Sequence, residues 1–300
     1  MNDSLISRNQ RQIGPFSVGP LSFGLWRFTD PDVNKAQGLV EAAIDAGMNL
    51  IDNADVYGLD YGGAGFGANE ELLGRVFSQA PQLREQMVLA SKGGILPPVP
   101  YDSSPAYLVD ACDASLRRMG VETIDLYQIH RPDMFTHPAD TAAALAGLRD
   151  AGKIREVGVS NYTADQYDAL AAHLPFPIAT TQPQFSAAHL DPMRDGTLDR
   201  AMRDGVVPLA WSSLAGGRLA TGDDVAPDLI AVLDRLADRE SVDRAAVALA
   251  FVLAHPSKPV AIVGSQNPER IRAATAALSV QLDRTDVYEI VVASEGVPLP

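Results

Sequence analysis

The sequence predicts a (β/α)8 TIM barrel, and three observations carry that expectation. Eight short apolar runs alternate with longer amphipathic stretches along 300 residues, and such a barrel typically takes about 250. The runs are apolar on both faces, as parallel strands covered by helices are. The first run leads into FGLWRFT, which lacks the glycine fingerprint that would announce an open, doubly wound sheet.

The segment GPFSVGPLS (14–22) carries the turn residues of a short N-terminal hairpin capping the barrel floor. The first barrel strand is expected at LSFGLW (21–26), followed by the helix NKAQGLVEAAIDAG (34–47), which closes on glycine. MNLIDN (48–53) and NEELLGRVFSQA (69–80) form the second strand and helix. EQMVLAS (85–91) and PAYLVDACDASLRRMG (105–120) form the third pair, and TIDLYQIH (123–130) and DTAAALAGLRDAG (140–152) the fourth. REVGVS (155–160) leads into ADQYDALAAHL (164–174). The remaining strands are IATTQP (178–183), VVPLAWS (206–212) and PVAIVG (259–264), with RAAVALAFVLAH (244–255) as a helix before the last. No linker or low-complexity tract interrupts this rhythm, so residues 1–300 read as a single domain.

Composition narrows the function classes. Hydrophobic residues make up 46% of the chain, enough for a large core. A formal net charge of -14 argues against a nucleic-acid or anionic-membrane binder, so a phosphate-bearing ligand must meet local positive charge. The single cysteine, Cys112, permits no internal disulfide and has no activating neighbour in sequence. The opening MNDSLISRNQ has no apolar signal core, and no run approaches the roughly 20 residues that span a bilayer. A soluble, cytoplasmic protein with a small-molecule partner and no metal is the expectation.

Barrel enzymes carry their chemistry at the C-terminal strand ends. There the sequence places Asp52 after NLI, Lys92 in SKGG, His130 in IHRPD, Ser160 and Asn161 in SNY, and Gln182. Tyr57 follows Asp52 by five residues in IDNADVYG. Each has an ordinary explanation: an Asp after a strand commonly caps a turn, a lone His or Lys is commonly structural or solvated, and Asp125 within its strand reads as a paired core residue. Asp, Tyr, Lys and His on consecutive strand ends are harder to explain separately.

These segments resemble the aldo-keto reductases. IDNADVYG, SKGG, DLYQIHRPD, GVSNYT, WSSLAGGRL and IVGSQNPERI match that family's motifs in order over nearly the whole chain, most closely those of its bacterial NADP-dependent oxidoreductases. The resemblance implies a tetrad of Asp52, Tyr57, Lys92 and His130 and an NADP(H) cofactor. It places Ser160, Asn161 and Gln182 at the nicotinamide carboxamide and Trp211 against the nicotinamide ring. Ser212, Leu214, Gly216 and Arg218 fall in the loop around the pyrophosphate. Gly264, Ser265 and Arg270 fall at the adenosine 2′-phosphate. Some members carry lysine at the Gly264 position and an acid–amide pair at Ala273 and Ala274, which leaves NADH as a weaker alternative.

The implied reaction reduces an aldehyde or ketone to an alcohol. Tyrosine, with a reference pKa near 10, is a reluctant acid; an adjacent Lys92 ammonium is expected to lower it, and Asp52 to hold Lys92 in place. Trp26, Tyr61 and Phe66 are expected to line the substrate pocket, the last two on the glycine-rich loop 59–68, a candidate lid. Two other classes fit parts of the pattern: a cofactor-binding regulatory subunit with little turnover, and an aldolase- or isomerase-type barrel using Lys92 as a Schiff-base nucleophile.

Overall fold

The computed structural model describes residues 4–299. A two-stranded antiparallel hairpin, β1 (Arg11–Ile13) and β2 (Phe16–Val18), precedes the barrel. The first half of the barrel runs β3 (Leu21–Gly24), α1 (Val33–Asp45), β4 (Leu50–Asp52), α2 (Ala68–Gln79), β5 (Val88–Gly93), α3 (Pro105–Met119), β6 (Ile124–Ile129) and α4 (Pro138–Asp150). The second half runs β7 (Ile154–Ser160), α5 (Ala164–Ala171), β8 (Thr180–Gln182), α6 (Thr197–Asp204), β9 (Val207–Ala210), α7 (Arg218–Thr221), α8 (Pro227–Glu240), α9 (Arg244–Leu253) and β10 (Val260–Val263). Two helices, α10 (Pro268–Ala273) and α11 (Arg284–Glu295), follow. Strands β3 to β10 pair in parallel and close, β10 lying against both β9 and β3.

The expected barrel and hairpin are therefore present, with most strands shorter than the apolar runs suggested. The strand expected at 85–91 begins at Val88 and runs on through Lys92; Pro81 opens a 3-10 turn that occupies its expected start. Helices α6, α8 and α11 were not singled out by their patterns. Local chemistry explains the helix starts. Asp32 caps α1 by accepting from Asn34 and Lys35 N–H, and Thr163 and Gln166 form a capping box on α5. Among the described residues, no helix is long and apolar enough to cross a membrane.

The strand period of two sorts side chains into two environments. Ile51, Leu89, Tyr127, Ile129, Val157 and Val159 face outward into the helix-covered core. Leu50, Val88, Ala90, Leu126, Val207, Leu209 and Val260 form a separate apolar layer inside the barrel, and Ile13 and Val18 of the hairpin join it. The hairpin is thus a plug for the N-terminal end. Arg11 fastens it: its buried guanidinium donates to the carbonyls of Ser7, Lys258 and Pro259 at 3.0–3.1 Å. With the floor filled by hydrocarbon, the interior positions above it are left to polar groups.

Asp125 is structural, as one reading of the sequence had it. Its Oδ2 accepts from Leu89 N–H at 2.8 Å and lies 2.9 Å from Arg84 Nη2. Ile13 is fully buried in the plug layer, so Ile13→Ala should destabilise the fold by about 2–5 kcal/mol in denaturant titration. A loss well below that range would mean that the hairpin does not plug the barrel.

Candidate active site

Above the apolar floor, the next interior positions of several strands are polar. Asp52 ends β4, Lys92 lies near the end of β5, Gln128 lies in β6, and Gln182 ends β8. Lys92 is completely inaccessible and Asp52 is 3% exposed. The Lys92 ammonium donates to Asp52 Oδ2 at 2.8 Å, to the Asn53 carbonyl at 2.9 Å and to Tyr57 Oη at 3.0 Å. Three donors thus meet three acceptors, which a buried ammonium requires. The other carboxylate oxygen, Asp52 Oδ1, accepts from Gln182 Nε2 at 3.0 Å and Gln128 Nε2 at 3.2 Å.

The turn after β4 explains the five-residue spacing. Asn53 N–H donates to the Ala90 carbonyl and Asp55 N–H to the Lys92 carbonyl, each at 3.0 Å, so backbone pairing with β5 continues past Asp52. Tyr57 N–H then donates to the Ala54 carbonyl at 3.2 Å and closes a turn that brings the phenol over Lys92. His130, next along after β6, meets the Tyr57 ring edge-on, with centroids 5.7 Å apart. The four side chains thus lie together.

The electrostatics correct one expectation. Burial lifts the Tyr57 phenol above its ordinary value; the Lys92 ammonium pulls it back down, while Asp52 and Asp60 push it up. The lysine opposes the shift without reversing it, because burial outweighs its charge and Asp52, which holds Lys92, also raises the phenol. Burial pulls Lys92 down, but Asp52 and Tyr57 outweigh it and leave the ammonium above its usual range. A saturated, strongly basic ammonium is a poor Schiff-base nucleophile, which requires free amine. Burial, with the Lys92 and Arg131 charges, drives His130 well below the usual imidazole range, so the ring is neutral near pH 7. Its Nδ1 is buried without a partner. Cys112 is buried, and burial pushes its thiol up to about 12, which removes it as a nucleophile.

The positions expected to hold a cofactor gather along the strand ends from β7 round to β10. Ser160 Oγ donates to the Gln182 carbonyl at 3.1 Å and accepts from Asn161 Nδ2 at 2.8 Å. Asn161 Oδ1 accepts from Trp211 Nε1 at 2.9 Å, which fixes the indole edge, and the Arg131 guanidinium lies 5.9 Å from its ring centre. Left-handed backbone occurs at Asn161, Ser212 and Ala215, where it costs strain of the kind that gathers in ligand-clamping segments, and at Gly216 and Gly217, where it costs none. Arg218 is tied to its own loop, donating to the carbonyls of Ala215 and Asp224. Leu214 accepts Gly217 N–H at 2.8 Å in the same loop. Beyond β10, Gly264 is exposed, Ser265 Oγ accepts Asn267 N–H at 3.2 Å, and Arg270 is exposed with no ion-pair partner among the described residues.

The three expected pocket residues separate. Trp26 and Tyr61 come together with ring centroids 4.7 Å apart. Phe66 lies instead over the Arg118 guanidinium of α3, 5.8 Å from it; Arg118 in turn pairs with the buried Glu70 at 2.6 Å. Four site residues escaped the sequence reading: Arg27, Asp60, Gln128 and Arg131. Gln128 had a usable signal, standing two residues before His130 and therefore on the same strand face.

Comparison with known proteins gives a consistent picture. The Aldo/keto reductase family model matches residues 20–295. A 6-dehydroglucose reductase of Novosphingobium aromaticivorans is 45% identical, with 100% of each chain covered. A second 6-dehydroglucose reductase, of Agrobacterium fabrum, is 35% identical over 91% of this chain and 93% of its own. Among solved structures, the glycerol dehydrogenase of Gluconobacter oxydans superposes with a TM-score of 0.84 at 26% identity, covering 98% of both chains. A closed eight-stranded barrel, the Asp52–Lys92–Tyr57–His130 arrangement at its mouth and a family match over nearly its whole length lead to one conclusion: this chain belongs to the aldo/keto reductase family.

Proposed function

We propose that this oxidoreductase is an NADP(H)-dependent carbonyl reductase whose general acid is Tyr57 and whose substrate is a polyhydroxylated aldehyde or ketone. The observation that carries the proposal is the Tyr57 phenol held 3.0 Å from a fully buried Lys92 ammonium at the barrel mouth. The polar positions round the strand ends fit a dinucleotide. Asn161 and Ser160 offer amide and hydroxyl groups, Trp211 offers an aromatic face, residues 212–217 offer a left-handed loop, and Arg270 offers an unpaired cation. When bound, the reduced nicotinamide supplies the hydride for the carbonyl carbon.

The chain's own residues handle the oxygen. Reduction requires a protonated phenol, and burial keeps Tyr57 protonated across the neutral range. Tyr57 gives its proton to the carbonyl oxygen as the hydride reaches carbon. Lys92 sits beside the phenolate left behind and stabilises it by charge. Neutral His130 carries one ring N–H; with that proton on Nε2, the orphaned Nδ1 is a bare acceptor, and Nε2 donates to the same oxygen. Acid and donor together polarise and orient the carbonyl. In the reverse direction Tyr57 is the base, so alcohol oxidation rises with pH as the phenol ionises.

The relatives' printed names support the substrate class. Two are 6-dehydroglucose reductases and one is a glycerol dehydrogenase, all with substrates rich in hydroxyls.

Tyr57→Phe should lower kcat for NADPH-dependent reduction of 4-nitrobenzaldehyde by about 10²–10⁴-fold, with NADPH binding retained in fluorescence titration. A near wild-type rate would remove Tyr57 from the mechanism. Arg270→Met should weaken NADPH binding by roughly 10- to 150-fold, the value of charge-assisted hydrogen bonds, and leave NADH binding little changed. Equal losses for both would contradict the 2′-phosphate role.

A further inference from the structure

One wall of the barrel mouth has an arrangement that hydride transfer alone does not call for. The loop between Tyr57 and α2 closes on itself at its base, where Gly65 N–H donates to the Gly58 carbonyl at 3.0 Å. Gly58 has φ 99°, and a side chain there would meet Ala68 and the Gly65 carbonyl at 2.7 Å, so only glycine lets the neck close. The loop tip carries Asp60 and Tyr61 back over the end of β3. There Trp26 and Tyr61 pair as tilted rings, their planes 47° apart and each about two-fifths exposed. Trp26 Nε1 donates to both Asp60 oxygens, at 3.2 and 3.4 Å.

The wall is held from behind. The Arg27 guanidinium lies 5.6 Å from the Trp26 ring centre and 5.2 Å from that of Tyr61, and donates to the Gly216 carbonyl at 2.8 Å. Asn69 Nδ2 donates to the Leu25 carbonyl at 2.6 Å, which fixes the backbone just before Trp26. Two large apolar rings and a carboxylate are thus presented to solvent on an anchored surface. The loop leaves Tyr57 through a turn in which Leu59 N–H donates to the Val56 carbonyl at 3.2 Å, so Asp60 stands three residues from the reacting phenol, whose pKa its charge raises slightly.

Each part has a matching ligand group. An aromatic ring offers an apolar face to the C–H face of a pyranose. A carboxylate has about four acceptor sites, and the single indole N–H occupies it only with long bonds. The remainder suits a ligand that brings several hydroxyl donors on neighbouring carbons. A plain aromatic aldehyde would use the rings and leave the carboxylate unanswered; an anionic substrate would be repelled by it. We propose that Trp26, Asp60 and Tyr61 form a sugar-reading wall, the rings stacking on the pyranose and Asp60 accepting from its vicinal hydroxyls while the carbonyl is presented to Tyr57. This rests on the reductase reading of the site, and it goes beyond it in assigning substrate choice to a loop outside the tetrad.

The test compares wild type with Asp60→Ala and Tyr61→Ala, using 6-dehydroglucose and 4-nitrobenzaldehyde as substrates with NADPH. The readout is the ratio of the two kcat/KM values. The Asp60 charge acts on Tyr57 with either substrate, so its effect on the acid cancels in the ratio. The ratio should fall roughly 10- to 100-fold in Asp60→Ala, as loss of hydrogen bonds to a charged group implies, mainly through KM for the sugar. An unchanged ratio, or a wild type that reduces 4-nitrobenzaldehyde but not the sugar, overturns the wall and leaves the reductase reading intact. Saturation-transfer NMR with D-glucose supplies a readout free of turnover. Transfer to the sugar ring protons should be present in wild type and weakened in both variants. If that pattern holds while neither aldehyde is turned over, the wall stands and the reductase reading fails; no transfer in wild type overturns the wall.

Discussion

A lysine ammonium with no solvent exposure dominates the architecture of this barrel. Removing such a charge from water costs several kcal/mol even after relaxation, and the fold must return that through geometry. It does so with Asp52, the Asn53 carbonyl and Tyr57, all within 3.0 Å of Lys92 Nζ. Those groups come from β4 and the turn behind it, so the pairing of β4 with β5 must hold for the charge to be tolerated. Gln128 and Gln182 bind the far oxygen of Asp52 and extend the constraint to β6 and β8. The hairpin plug belongs to the same logic, because a filled apolar floor keeps water away from the polar layer above it.

The same interaction sets the chemistry. A buried phenol beside one cation and two carboxylates is pulled both ways, and burial decides the balance in favour of the protonated form. In the proposed reaction this leaves the phenol able to give a proton, with Lys92 in place for the charge that remains. Around this fixed centre the mouth divides. Strand ends from β7 to β10 present amides, an indole, a left-handed loop and free arginine. The adjoining side, after β3 and β4, presents Trp26, Asp60 and Tyr61. Arg27 touches both sides, stacking on the aromatic pair and binding the Gly216 carbonyl.

Much of this was legible in the chain. Asp52, Lys92 and His130 could be placed because strand ends in a parallel barrel converge on one axis, and Tyr57 because IDNADVYG resembles the aldo-keto reductase motif. Gln128 was obscured by its apolar neighbours in IDLYQIH: a strand buried on both faces shows no alternation to flag its polar member. Helix α8 does carry its apolar residues at helical spacing, Leu229, Leu233, Leu236 and Ala237, and α6 buries Thr197, Leu198 and Ala201 on one side, so both were legible and were passed over. Phe66 went astray because a glycine-rich loop does not declare which way its side chains turn, and Asp60 was passed over for the same reason. The direction of the Tyr57 shift was beyond sequence, since charge neighbours can be read from a motif but depth of burial cannot.

The central claim is that Lys92 moderates the ionisation of Tyr57, and the pH dependence of alcohol oxidation tests it most directly. In the proposed mechanism oxidation needs the phenolate, so its rate follows the phenol's ionisation. With Lys92→Met the downward pull is lost while burial and Asp52 remain, so the rising limb of kcat should move to higher pH than in wild type. A limb that stays where it was, or moves to lower pH, would contradict the account.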